Sequence, residues 1–200
     1  MKSTKIILFS GFARNGKDQS ATFLKEELEK SGKTVVIYHF ADALKSLCES
    51  SYNWIKGDKG PIGRTILQNV GTAYRKNNPE CWVNIARQIA LGCSEEYMLI
   101  PDCRYKNEAL GFLDFDYKNV RIERPNFDNG LTKEQKAHIS ETEMCTFPEY
   151  DYIITNDGSL DDLREKVKQT FQLEVESCQL ENRICIRFTS SLPHLFAKII

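Results

Sequence analysis

No run of this chain approaches the roughly 18 consecutive apolar residues that a membrane-spanning helix needs. No secretory signal is expected at the N-terminus, because its six-residue apolar stretch is short and leads straight into a glycine-rich turn. C-x-x-C pairs are missing as well. The seven cysteines (Cys48, Cys81, Cys93, Cys103, Cys145, Cys178 and Cys185) are odd in number and widely scattered, which argues against a disulfide framework and against a zinc site. A formal net charge of −1 leaves no bulk attraction to nucleic acid or to a membrane surface, so any anion site must be local. Internal repeats and low-complexity tracts are absent too. A reducing, cytoplasmic compartment is therefore expected. So is one compact domain, for which 200 residues with 41% hydrophobic and 28% charged content are ordinary.

What the chain does have begins at residue 11. Gly11-Phe12-Ala13-Arg14-Asn15-Gly16-Lys17-Asp18 follows the apolar run Lys5 to Ser10 and fits the phosphate-binding pattern G-x-x-x-x-G-K-[ST] everywhere except its last position. The glycines let the backbone wrap close to a polyphosphate, successive N–H groups from Gly11 to Gln19 face its oxygens, and Lys17 reaches the terminal phosphates. A helix starting near Gly16 adds its N-terminal partial charge. At the eighth position a carboxylate, Asp18, stands where a metal-ligating hydroxyl is usual. Strand, loop and amphipathic helix (Phe23, Leu24 and Leu28 on one side) come in the order that the motif requires.

Along the rest of the chain, strand-like runs alternate with helical ones. Strands are predicted at Lys5 to Ser10, Thr34 to Phe40, Tyr97 to Pro101, Asn119 to Ile122 and Tyr152 to Thr155, with helices at 17 to 30, 41 to 50, 62 to 76, 80 to 92, 105 to 113 and 159 to 171. This alternation predicts an α/β fold, a mostly parallel sheet with helices on both faces. Residues 1 to 170 form the expected domain. The polar stretch from about 123 to 149 is too long for an ordinary connection and is expected to be a lid. Residues 171 to 200 form an extension, either a hairpin with a packing helix or a partner-binding tail.

Phosphoryl transfer needs positive charge around the transferred group, which directs attention to arginines. Arg64, Gln68, Thr72 and Arg75 fall one helical turn apart in Gly63 to Arg75, a stripe that suits a phosphate and a base edge and equally a solvated helix face. Asp102 ends an apolar strand, where open α/β sheets bind ligands. It either holds Mg²⁺ or orients an acceptor, with Arg104 on phosphate, or it caps the helix that follows. Arg104 and Glu108 are spaced to pair on that helix. In the lid, Arg121, Arg124, His138, Ser140, Glu141 and Glu143 are the polar candidates, and Arg124 is the choice for closing over the reaction. His138 is a poor general base. The turn Asn156-Asp-Gly158 lies where it can contact adenine or serve as a turn alone.

Several motifs in order resemble the phage-type deoxynucleoside monophosphate kinases, a branch of the P-loop kinases: the loop ending Gly16-Lys17-Asp18, Phe40-Ala-Asp-Ala-Leu-Lys45, Leu67-Gln68 with Gly71-Thr72 and Arg75, Trp82-Val83, Asp102-Cys-Arg104 with Asn107-Glu108, and Asp151 to Gly158. The resemblance covers about residues 5 to 165. It implies a three-layer sandwich around a five-stranded parallel sheet, ATP with Mg²⁺ as donor and a dNMP as acceptor. It also implies Lys17, Asp18, Arg124 and Asp102 as catalytic, Asp18 and Asp102 as metal ligands, and Trp82, Arg104 and Glu108 beside Arg64, Gln68 and Arg75 at the acceptor. In that family the loop's aspartate replaces the hydroxyl residue. The family usually has threonine where this chain has Gln19, the position of an α-phosphate contact. The same loop and strand ends also resemble animal phosphomevalonate kinase, and a nucleotide-binding protein without catalysis is the alternative of another class. A monomer and a homodimer are both left open.

Overall fold

A computed structural model describes residues 4–52, 54–57 and 60–172. The C-terminal extension lies outside the described residues from 173 onward, as does the side chain of Arg64. Five parallel strands, β1 (Lys5–Ser10), β2 (Val35–Ile37), β3 (Tyr97–Ile100), β4 (Tyr117–Glu123) and β5 (Tyr152–Thr155), form one sheet in the order β2-β3-β1-β4-β5. The helices are α1 (Lys17–Lys30), α2 (Phe40–Ser51), α3 (Pro61–Asn77), α4 (Cys81–Leu91), α5 (Lys106–Leu110), α6 (Lys133–Ala137), α7 (Ile139–Thr142) and α8 (160–172).

β1 is the central strand, and its composition explains why. Parallel strands covered on both faces read as continuous apolar runs, and Ile6, Ile7, Leu8 and Phe9 are all at most 1% exposed. Alternation sends them to opposite faces. Ile7 and Phe9 pack with Ala21, Leu24 and Leu28 of α1 and with Leu163 and Val167 of α8. Ile6 and Leu8 pack with Phe40, with Ala86 and Ala90 of α4, and with Ala109 and Phe112. Burying each such aliphatic side chain is worth about 1.5–3 kcal/mol, so registering β1 between β3 (Leu8 beside Ile100) and β4 (Phe9 beside Val120) contributes to both cores at once. A third cluster joins α2 and α3 through Cys48, Trp54 and Val70.

Some boundaries differ from those predicted. β2 stops at Ile37 because Phe40 already opens α2, with His39 as its N-cap. β4 is longer at both ends because it pairs with β1 on one side and β5 on the other. α5 ends at Leu110, and Gly111 follows where a Cβ would lie 2.3 Å from Val83 Cγ1 of α4. Residues 124–149 carry α6, α7 and a 3₁₀ turn over Glu143–Thr146. Among the described residues no helix is long and apolar enough to cross a membrane.

The loops after β1, β3, β4 and β5 emerge at the carboxyl edge of the sheet, the edge at which open α/β sheets bind ligands. At this edge Gly11 has φ +137°, and an added Cβ would sit 2.3 Å from the Ile122 carbonyl oxygen, which is backbone and cannot yield. Gly11→Ala is expected to lower the unfolding free energy by about 2 kcal/mol or more. Denaturant melts of the variant and the wild type check this; equal midpoints would mean that the loop relaxes without cost.

Candidate active site

The loop from Gly11 to Gly16 turns from β1 into α1 through left-handed backbone at Arg14 (φ 64°) and Gly16 (φ 99°). Two buried amides hold it. Asn15 Nδ2 donates to the Ile122 carbonyl at 3.0 Å, and Asn156 Nδ2 donates to the Asn15 carbonyl at 2.9 Å. Asn156 is thus committed to the floor of the loop, and a Cβ on Gly16 would meet its Nδ2 at 2.8 Å. Lys17 is 5% exposed, and its Nζ donates to the Gly11 and Phe12 carbonyls at 2.8 and 2.9 Å. Burial brings the Lys17 ammonium down to about 8, with the nearby Arg104 guanidinium acting in the same direction.

Asp18, on the first turn of α1, has a side chain 79% exposed. His39 Nε2 lies 3.0 Å from its Oδ1, and because a carboxylate accepts only, the imidazole carries the hydrogen. That hydrogen bond lowers the Asp18 carboxyl and raises the His39 imidazole, against the opposing effect of burial on each. His39 Nδ1 also lies 3.4 Å from Asp42 Oδ2. Gln19, the next residue of α1, is half-buried.

Asp102 follows β3 and caps a helix, but not the one next in sequence. Its two oxygens accept the N–H groups of Phe40 (2.9 Å) and Ala41 (3.0 Å), which open α2. Burial pushes its carboxyl up, against the pull of those two donors. Arg104 and Glu108 do not pair as side chains. Glu108, 2% exposed, accepts the backbone N–H groups of Arg104 (2.8 Å) and Tyr105 (3.1 Å) at Oε2 and the Arg75 guanidinium (2.9 Å) at Oε1. Burial raises it to about 7, with Arg75 opposing. The Arg75 guanidinium also stacks on the Tyr105 ring, 4.0 Å from its centroid. Arg104 turns the other way and pairs with Glu141 of α7, whose second oxygen accepts the Ala13 N–H at 2.8 Å.

Arg75, Asp102, Arg104, Tyr105, Glu108 and Glu141 share one cavity of about 340 Å³, whereas Lys17, Asp18, His39 and Asn156 are not among its lining residues. Ala13, Arg14, Asp102 and Arg104 line it, together with Gln68, Thr72 and Arg75 of α3 and Glu108. Trp82 adds an apolar wall. It is buried against Tyr74, and its Nε1 has no hydrogen-bond partner among the described residues. Leu131, Gln135, His138 and Ser140 border it from the 124–149 segment. Arg124 is not among the lining residues. Its guanidinium stacks on Phe127 at 3.8 Å, and its Nη1 lies 3.4 Å from the Arg14 carbonyl. Arg121 is likewise engaged, with Glu123 and Tyr150.

Sequence reasoning did not include His39 or the stacking role of Tyr105, and it treated Glu141 only as one polar residue among several. His39 had a readable signal, a polar side chain just ahead of a helix and after a strand end. The destination of Glu141 had none, since 37 residues separate it from Arg104 and 128 from Ala13.

The Lys17 ammonium supports a pH prediction. Its pKa is lower in the folded state (about 8) than in the unfolded chain (10.5), so between those values the unfolded chain holds a proton that the folded one has lost, and stability rises with pH. The cost of the buried charge is fully present below pH 8. Lys17→Met should therefore be the more stable protein at neutral pH, with an advantage that shrinks from pH 8 to 10.5. Unfolding free energies of both proteins across that window check this; a constant difference would refute it.

No protein-family model matches this chain, and no curated protein matches it. Solved structures do match. The Mycobacterium tuberculosis APS kinase CysC in complex with AMPPNP and APS superposes with a TM-score of 0.50 at 13% identity, covering 86% of this chain and 99% of that one. A gluconokinase from Sinorhizobium meliloti aligns with a TM-score of 0.48 at 11% identity, over 90% of this chain and 98% of that one. At such identities the likeness is one of fold alone, a parallel α/β sheet with helices on both faces.

Proposed function

We propose that this chain is a deoxynucleoside monophosphate kinase, which transfers the γ-phosphoryl group of ATP to a dNMP and releases dNDP and ADP. The observation that carries the reading is the shared cavity. It joins the phosphate-loop residues Ala13 and Arg14 to Asp102 and Arg104 and to the α3 stripe of Gln68, Thr72 and Arg75. Two loop residues and the candidate acceptor residues thus border one space, which supports this reading. The APS kinase of similar fold is in complex with AMPPNP and APS, which supports a small-molecule kinase as the coarser class.

In this reading the loop N–H groups and Lys17 hold the donor phosphates. Next to a polyphosphate the buried ammonium exchanges its two carbonyl partners for anionic ones, which offsets the cost of burying its charge and places it where negative charge develops. Arg104 takes phosphate from the acceptor side. Arg75, braced by Glu108 and Tyr105, and Gln68 read the acceptor's phosphate and base. Trp82 presents an apolar wall to the base. Arg124 reaches the reaction only by leaving Phe127 as the 123–149 segment closes.

Mg²⁺ fits the donor set. The exposed Asp18 carboxylate is a hard oxygen ligand beside the phosphate loop, as this ion prefers, while Asp102, whose oxygens both accept N–H groups, would hold it through water. When bound it neutralises charge on the phosphoryl oxygens. Among the described residues no three His, Cys, Asp or Glu side chains gather to hold a metal, so its remaining ligands would be phosphate and water. We place the enzyme in the cytoplasm, as a monomer or homodimer.

A coupled assay with ATP, Mg²⁺ and a panel of dNMPs is expected to show turnover on at least one; none on any of them would remove the reading, and turnover on phosphomevalonate instead would replace it. Lys17→Ala should lower kcat roughly 100- to 1000-fold while leaving the circular dichroism spectrum unchanged. Asp18→Asn should raise the Mg²⁺ concentration that gives half-maximal rate, with Asp18→Ser recovering part of the loss. An unaltered metal titration in both would separate Asp18 from the metal.

A further inference from the structure

The cavity contains two carboxylate–guanidinium pairs, and they differ in what holds them. Glu108 is fixed by its own turn: two backbone N–H groups bind its Oε2, and only the third donor, Arg75, comes from another element. Among the described residues the Glu141 carboxylate has no comparable tie to its own helix. Its carboxylate, 8% exposed, accepts the Ala13 N–H of the phosphate loop with one oxygen and meets the Arg104 guanidinium with the other. Both are anion-binding groups. A loop N–H and a forked guanidinium are the donors that recognise a phosphoryl oxygen, and here a carboxylate satisfies them from within the chain. Neighbouring contacts hold the segment in register: Arg104 Nη1 also lies 3.4 Å from the Ser140 carbonyl, and Glu143 Oε1 accepts the Lys106 N–H at 2.8 Å.

We propose that Glu141 is an internal stand-in for phosphate, an anionic latch that holds α7 on the phosphate loop and Arg104 and must be displaced by the incoming phosphorylated ligand. The proposal rests on the reading of the loop and Arg104 as phosphate-binding groups and adds regulation to that same site. A ligand must carry enough negative charge to replace the carboxylate at both donors. Displacing Glu141 also frees the segment bearing His138, Ser140 and Gln135 from the cavity border, so ligand entry and movement of this segment are one event. The apparent affinity of any anionic ligand is then reduced by the fraction of molecules in the latched state.

The test is direct binding of inorganic tripolyphosphate, without metal and without acceptor, to the full chain and to Glu141→Gln and Glu141→Ala, with amide hydrogen exchange over residues 130–147 alongside. Removing the latch charge should tighten tripolyphosphate binding roughly 10-fold and speed exchange of that segment in the free protein. Tripolyphosphate should speed the same exchange in the wild type. If Glu141 serves instead only to orient Arg104, both variants bind more weakly, and the proposal fails while the phosphate-site reading survives. Equal affinity in all three proteins overturns the proposal alone. No tripolyphosphate binding by any of them overturns the phosphate-loop reading and the latch with it. Use of two variants covers the loss of either one to misfolding, which a thermal melt reports.

Discussion

The approach of the Gly11 backbone to the Ile122 carbonyl is the constraint on which this molecule is organised. It ties the loop after β1 to the end of β4. The buried amides of Asn15 and Asn156 extend the tie across β4 to β5. A buried backbone carbonyl must be paired, and here the Ile122 and Asn15 carbonyls are paired by side chains that leave no freedom for the loop to drift. From that anchored loop α1 departs in a set direction. Lys17 is then drawn into a site where its charge is costly, as the proposed phosphate site would require of its cation.

A second level of order comes from carboxylates that bind backbone N–H groups. Asp102 connects the end of β3 to the start of α2, and Glu108 closes the turn that opens α5 while bracing Arg75 of α3. Each fixes one helix relative to the sheet, and both residues line the cavity. Arg14, Arg75, Arg104 and Lys17 are thereby interleaved with Asp102, Glu108 and Glu141. Cationic and acidic side chains thus nearly balance at the site, as they do over the whole chain, whose net charge is −1.

Much of this was legible in advance. The strands Lys5 to Ser10 and Tyr152 to Thr155 stand at their predicted bounds, because apolar β-branched runs bordered by polar turns admit few other conformations. The phosphate loop was legible because its glycines answer to local backbone geometry. Asp102 was readable as a ligand-edge residue or a cap, yet the helix it caps lies 62 residues before it in the chain. The spacing of Arg104 and Glu108 pointed to a pair, but Glu108 is taken by two N–H groups of its own turn and by Arg75, so Arg104 turns to Glu141 instead.

By itself the sequence determined the α/β class, the loop, the placement of the candidate residues at strand ends and the anomaly at Asp18, since all of these depend on local periodicity and on backbone permissiveness. Only the tertiary structure decided which charge meets which. The pairing of Asp18 with His39, of Arg75 with Glu108 and of Arg104 with Glu141 depends on how helices cross the sheet edge. Long flexible side chains can reach several partners, and burial and backbone donors choose among them.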